Sequence, residues 1–457
     1  MKISPKQDGA GLSVQEGDAV QLGLFLAEQR RVIGQRVMGG ASGAETLAAM
    51  TDLVDGLIIG RYREAVRHGD EALANAGLHQ CCVMALGGYG RRELAPHSDI
   101  DLMFLFRPEA KSQVESLVRA VLHPLWDCGF QVGHSVRTIH DCIEMAETDA
   151  TVKTSMMESR FLAGSPELFE QFHSRYMRKV VVKSPDTYLD QKLDERRREY
   201  LKFGETVYLL EPNVKKSQGG LRDLHLLQWA GMARYQAPTI RELSDRGILS
   251  RADSMALTEA RDFLWRVRAL LHVHADAAQE ILSFDEQIWL AQHFGFQDQP
   301  HLLAVEQFMQ QYYQHTMGLH ERCMRFVERC RSVPFWRRIA RFLPAPRVDG
   351  YFVVRGGVLT VADEHRAKVL ESPALLLRLF DLARSQHLTI VPPLLEDIHR
   401  HVDTVSAEAY RTPEVNRTFL AILTGPGTAK TLEAMHRASV REKVVPAMGR
   451  VRGRMQF

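Results

Sequence analysis

Residues 85–106 read Ala-Leu-Gly-Gly-Tyr-Gly-Arg-Arg-Glu-Leu-Ala-Pro-His-Ser-Asp-Ile-Asp-Leu-Met-Phe-Leu-Phe, and no other stretch restricts the possible folds as strongly. A glycine pair, Gly87 and Gly88, precedes two carboxylates, Asp99 and Asp101, that open an apolar run ending at Phe106. Such a run behind turn-forming residues predicts a strand. Alternate residues of a strand share a face, so Asp99 and Asp101 point the same way, a short distance apart. Like charges crowded there repel unless a cation sits between them. Magnesium suits the place, because it prefers oxygen and keeps phosphate oxygens among its ligands. Glycines leave the backbone bare, so its N–H groups can approach a polyphosphate. Together these parts predict metal-assisted transfer of a nucleotidyl group.

That chemistry assigns roles to further residues. Asp99 and Asp101 hold the metal, and a third carboxylate is needed to complete the set or to act as base. Glu158, in Ser155–Leu162 (read as a neighbouring strand), is the best candidate, with Glu93, Asp141 and Asp149 as competitors. Arg91 adds a charge-assisted contact to the phosphates, and Ser98 orients Asp99. Farther on, Pro212-Asn213 and Gly219-Gly220 shape a loop carrying Lys215, Lys216 and Arg222, before a helix opened by Asp223. Lys215 and Arg222 are placed to close over a nucleotide. The plainer alternatives are that Ser98-Asp99 caps a turn, that Glu158 pairs with Arg160 or Arg137, and that Arg222 and Asp223 only tie the loop down. His272 and His274 lie two apart on a helix and face different ways, which makes them a poor metal pair.

The chain has 457 residues, enough for two to four domains. The pattern divides it into a loose leader (1–18), a helical segment (19–76), a nucleotidyltransferase domain (77–183), a helical domain (184–333), and a C-terminal helical region with a small hairpin turning at Gly356-Gly357 (334–457). The predicted class is α+β: an α/β-type core with a mixed sheet, plus a large α-helical part. Net charge is +2, and no basic stripe interleaved with aromatics occurs, so neither a nucleic-acid nor a membrane partner is expected. Six scattered cysteines without a CxxC pair, a polar start, and no apolar run of membrane-spanning length predict a cytoplasmic protein with reduced thiols. The oligomeric state is not readable.

GGYGRREL followed by PHSDIDL resembles the catalytic signature of the bacterial PII uridylyltransferases, members of the DNA polymerase β-like nucleotidyltransferase superfamily. The resemblance continues through HSVRT (134–138), MMESRFLAG (156–164), LLEPNVKKSQGGLRDLH (209–225), FLWRVRALLH and VEQFMQQYYQH. Arg92 departs from it, since the family more often has a glycine there. The resemblance implies transfer of UMP from UTP to a tyrosine of the nitrogen-signalling protein PII, with Mg2+ as cofactor. It also implies that a His-Asp hydrolase domain and two ACT sensor domains are missing from this chain, which ends near the point where the first would begin. Two alternatives stay open: adenylyl transfer to a protein or small molecule, and a catalytically idle regulatory or scaffold homologue.

Overall fold

The computed structural model describes residues 16–331, 347–355 and 357–446. The first 15 residues of the expected leader, the linker prolines Pro334, Pro344 and Pro346, Gly356 of the expected hairpin turn, and the final stretch 451–457 lie outside the described residues. Two compact units result, Met1–Cys323 and Met324–Phe457.

In the first unit a helix begins at Glu16, inside the expected leader. It runs to Met38 (α1) and is followed by Gly43–His68 (α2). Ser42 caps α2 through a reciprocal capping box with Glu45, which sets where that helix starts. A four-stranded mixed sheet follows, in the order β3-β2-β1-β4. Its strands are β1 (Cys81–Ala85), β2 (Ile100–Phe106), β3 (Val132–Arg137) and β4 (Arg160–Gly164). β1 runs antiparallel to β2 and β4, while β2 and β3 are parallel. The strands of the carboxylate motif and of HSVRT thus pair side by side, as an α+β core requires.

Between β1 and β2 the glycines form a one-turn helix, α3 (Gly87–Gly90). Lys111–Asp127 (α4) crosses from β2 to β3, with Val114, Leu117, Val121 and Leu125 buried at three- and four-residue spacing. These side chains join a core with Ile100, Leu102 and Phe104 from β2 and Val54, Ile58 and Tyr62 from α2. Ile139–Thr148 (α5) and Ala150–Met157 (α6) then lead to β4. The strand expected over Ser155–Leu162 is corrected: its first half belongs to α6, because Asp149 accepts hydrogen bonds from the amides of Thr151 and Val152 and so starts a helix there.

The helical remainder of the unit includes Pro185–Phe203 (α7), Leu221–Tyr235 (α8) and Arg251–Ala275 (α9). In the second unit a small sheet, Arg347–Val348, Phe352–Arg355, Val358–Val361 and Thr389–Ile390, packs with helices around a core of its own that includes Phe352, Leu377, Phe380 and Ile398.

Candidate active site

One cavity of about 760 Å³ gathers the residues singled out from the sequence: Gly87, Gly88, Arg91, Ser98, Asp99, Asp101, Glu158, Lys215 and Arg222 all line it. They come from the segment joining β1 to β2 and the start of β2, the end of α6, the loop before α8, and the first turn of α8, which carries Arg222.

Asp101 is the second residue of β2 and points out of an otherwise buried strand; Asp99 lies just before it. Neither carboxylate has a hydrogen bond or ion pair among the described residues. Burial, then the neighbouring Asp99 charge, raise the Asp101 carboxyl above its ordinary range, while Lys215 pulls the other way. Two glycines make room for it. Gly87 adopts a left-handed backbone (φ 54°), and a Cβ there would lie 3.5 Å from Asp101 Oδ2. Gly133 pairs with Asp101 across β2–β3, and a Cβ there would fall 2.6 Å from Oδ1. Any side chain at 133 displaces the carboxylate.

The opposite wall is basic and equally short of partners. The Arg222 guanidinium makes no hydrogen bond or ion pair among the described residues; it lies 5.6 Å from the Trp229 ring centroid, and its buried Nε is unpartnered. Lys215 reaches only Glu280, at 3.9 Å. Burial, then Arg268, push the Lys215 ammonium down to about 8. A carboxylate pair without an ion-pair partner, an unpaired Arg222 and a Lys215 held only by a long Glu280 contact therefore share one cavity among the described residues, a pattern that suits a cation carrying an anionic ligand.

Other members of the expected set are already engaged. Glu158 lies at the C-terminal end of α6, ahead of β4, and its Oε1 accepts from Arg91 Nη1 at 2.6 Å and from Trp229 Nε1 at 2.5 Å. Its ion-pair partner is Arg91, not Arg160 or Arg137; Arg160 instead grips Asp55 through both terminal nitrogens, at 2.8 and 2.9 Å. Among the described residues no three acidic, histidine or cysteine side chains come together to hold a metal. Arg91 is likewise consumed, donating from Nε to Glu93 at 2.9 Å, with His225 Nε2 3.2 Å from its Nη2. Ser98 Oγ accepts from the Ala95 amide and from Arg268, so it braces the turn.

The family model for GlnD PII-uridylyltransferase matches residues 187–327, and that for the uridylyltransferase GlnD third domain matches 352–443. A bifunctional uridylyltransferase/uridylyl-removing enzyme of Azospirillum brasilense is 35% identical over 82% of this chain and 41% of its own length. The corresponding enzyme of Caulobacter vibrioides is 34% identical over 94% of this chain and 46% of its own. The chain belongs to the GlnD uridylyltransferase family. It spans less than half the length of these curated relatives. A third model, glutamate-ammonia ligase adenylyltransferase, matches residues 19–121, the segment bearing both carboxylates.

In this GlnD-family chain, several site residues carry no short-range sequence signal. Asp55 of α2 accepts from Tyr89 Oη at 2.6 Å and from Arg160, which pins the glycine turn to α2 and β4. Asp223, expected to open α8, lies within its first turn and is fully buried. It takes hydrogen bonds from Arg196 Nε and Tyr200 Oη, both at 2.6 Å, and from the Gly219 amide. Asp223 thereby fixes the loop that presents Lys215 and Arg222. Only the register of the strands reveals Gly133.

Proposed function

We propose that this chain transfers UMP from UTP to the tyrosine hydroxyl of a PII-type signalling protein, with release of pyrophosphate. Asp99 and Asp101 hold the divalent cation, magnesium. The reading is carried by the carboxylate pair, which has no hydrogen-bond or ion-pair partner among the described residues and lines one cavity with Lys215 and Arg222. UTP and PII as reactants follow the names borne by the matching family model and relatives.

The attacking tyrosine oxygen forms a bond to the α-phosphorus as the bond to the oxygen bridging the α- and β-phosphorus breaks. Pyrophosphate leaves with that oxygen, and the hydroxyl proton is released. Bound magnesium supplies neutralisation of phosphate charge and makes a coordinated hydroxyl more acidic. Everything else in this account falls to the chain. Lys215 and Arg222 pair with the phosphate charge that grows on the leaving group. The first-turn amides of α3, at Gly87 and Gly88, have no partner one turn earlier in that helix and are available to phosphate oxygens. Arg91 holds Glu158 and Glu93 in place.

The match of residues 19–121 to an adenylyltransferase model favours a second reading, adenylyl transfer from ATP. An idle scaffold fits less well, since among the described residues no hydrogen bond or ion pair engages Asp99 or Asp101, and Lys215 only partly offsets burial and the Asp99 charge at Asp101. The test is incubation with magnesium and a PII-type protein, with α-labelled UTP in one arm and α-labelled ATP in the other. Label should appear on the acceptor from UTP and not from ATP, and vanish in Asp101→Asn. Label from ATP alone would establish the second reading, and no label from either nucleotide would refute both.

A further inference from the structure

The turn that leads into the carboxylates is gripped from behind by residues unused in the reaction above. Helix α9 carries Arg268 and His272 one turn apart, on one face. The loop after it supplies Glu280. Arg268 Nη2 donates to Ser98 Oγ at 3.2 Å and to Glu280 Oε1 at 2.7 Å, and its Nε donates to the same carboxylate at 3.0 and 3.1 Å. The backbone N–H of His97 donates to His272 Nδ1 at 3.2 Å. That bond selects the tautomer: with Nδ1 accepting, the ring proton is on Nε2. Nε2 has no hydrogen-bond partner and lies 3.7 Å from Glu280, in a ring that is completely buried.

Glu280 also touches the basic wall. Its carboxylate lies 3.9 Å from Lys215 Nζ, and its backbone carbonyl accepts from the Val214 amide at 2.9 Å. One residue therefore joins the turn before Asp99 to the loop that bears Lys215. Without such a brace, repulsion would spread the two aspartates and open the spacing that a small cation needs.

We propose that Arg268, His272 and Glu280 are positioning residues for nucleotidyl transfer, which hold the His97–Ser98 turn so that Asp99 and Asp101 keep a cation-binding spacing in register with Lys215. The proposal rests on the reading of the two aspartates as cation ligands.

His272→Phe keeps a ring of similar size and removes the acceptor, whereas His272→Asn restores an acceptor oxygen near the place of Nδ1. Ser98→Ala, at the half-buried end of the clamp, removes the Arg268 contact with little threat to folding. Three quantities are measured: Mn2+ affinity by electron paramagnetic resonance, hydrogen exchange of the segment containing the His97 amide, and kcat and KM for UTP. In His272→Phe, Mn2+ binding should weaken about tenfold, as when the residues that orient metal ligands are lost. Its kcat should fall about tenfold to a hundredfold, with KM changed by no more than about twofold. Exchange at His97 should quicken, and His272→Asn should recover most of each loss. Ser98→Ala should move the same quantities in the same direction, by about threefold. If Ser98→Ala and a folded His272→Phe both keep wild-type Mn2+ affinity and kcat, the three residues are a structural ion pair and the proposal fails. If His272→Phe does not fold, Ser98→Ala decides alone. A wild-type chain that transfers nothing, or an Asp101→Asn chain that binds Mn2+ normally, would instead refute the reading of the aspartates.

Discussion

Two sets of carboxylates line the same cavity, and their surroundings treat them oppositely. Glu93 and Glu158 are bridged by Arg91, with His225 and Trp229 supplying further hydrogen bonds. Asp99 and Asp101 are closer to solvent and have no such partner among the described residues. A buried charge that is paired and hydrogen-bonded belongs to the framework, and removing one partner leaves the other exposed to a large desolvation cost. Like charges held together without a partner make no contribution to folding that would explain them. A bound cation would recover that energy. On the proposed reading it is the lack of partners, and not charge type alone, that separates Asp99 and Asp101 from the framework carboxylates.

The sharpest way to break this contrast is to substitute one member of each set. Asp101→Asn should lower transfer by on the order of a thousandfold or more, since it removes a metal ligand. Its melting temperature should be unchanged or slightly raised, because a repulsion is relieved. Activity retained alongside lost stability would reverse the roles assigned here. Arg91→Met should do the opposite to stability, costing about 3–5 kcal/mol in urea unfolding by leaving Glu93 and Glu158 unpaired. A cost below about 1 kcal/mol would show that the Arg91 network is not framework.

The same network sets a pH dependence. Burial, then the Arg91 charge, push His225 down from 6.5 to about 3, so it is neutral in the folded chain. The unfolded chain takes up that proton first, and stability falls as pH drops from about 6.5 toward about 3. Burial raises the Glu93 carboxyl, but Arg91 and then His225 outweigh it and hold it well below the usual carboxylate range. Its contribution is complete above the unfolded value of about 4.3 and is lost as pH falls below that. Urea midpoints should therefore be flat near neutrality, decline below about pH 6.5, and steepen below about pH 4. In His225→Gln the decline should begin only near the lower limit. A midpoint that rises on acidification would contradict the assignment.

The smallest effect is expected at Arg92, which stands where the family more often has glycine. It adopts a left-handed backbone (φ 62°), where a side chain is strained, and it donates to Asp52 at 2.5 Å. Both partners are largely exposed, so the pair contributes little. Arg92→Gly should leave stability within about 1 kcal/mol and transfer unchanged.

Much of the first sheet was legible in the sequence, because alternation and turn glycines are local signals. β2, expected from Asp99 to Phe106, runs from Ile100 to Phe106, with Asp101 inside it and Asp99 just before it. What was not legible was non-local. Ser155–Leu162 looked like a strand because Met156, Met157 and Phe161 read as an apolar run, and Asp149, which starts the helix, lies before that run. The partners of Glu158, Arg91 and Trp229, are 67 and 71 residues away in the chain, and no pattern within the segment announces them. Gly133 acquires its meaning only from pairing with Asp101. Asp223 does tie the loop down, one of the two alternatives the sequence left open, but its partners Arg196, Tyr200 and His320 are distant in the chain and no local pattern announces them.

The central claim is tested most directly by equilibrium binding of Mn2+ to the wild-type chain, Asp101→Asn and Glu158→Gln, without turnover. Asp101→Asn should weaken binding at least about a hundredfold, while Glu158→Gln should stay within about threefold of wild type. Equal losses in the two variants, or no loss in Asp101→Asn, would contradict the account.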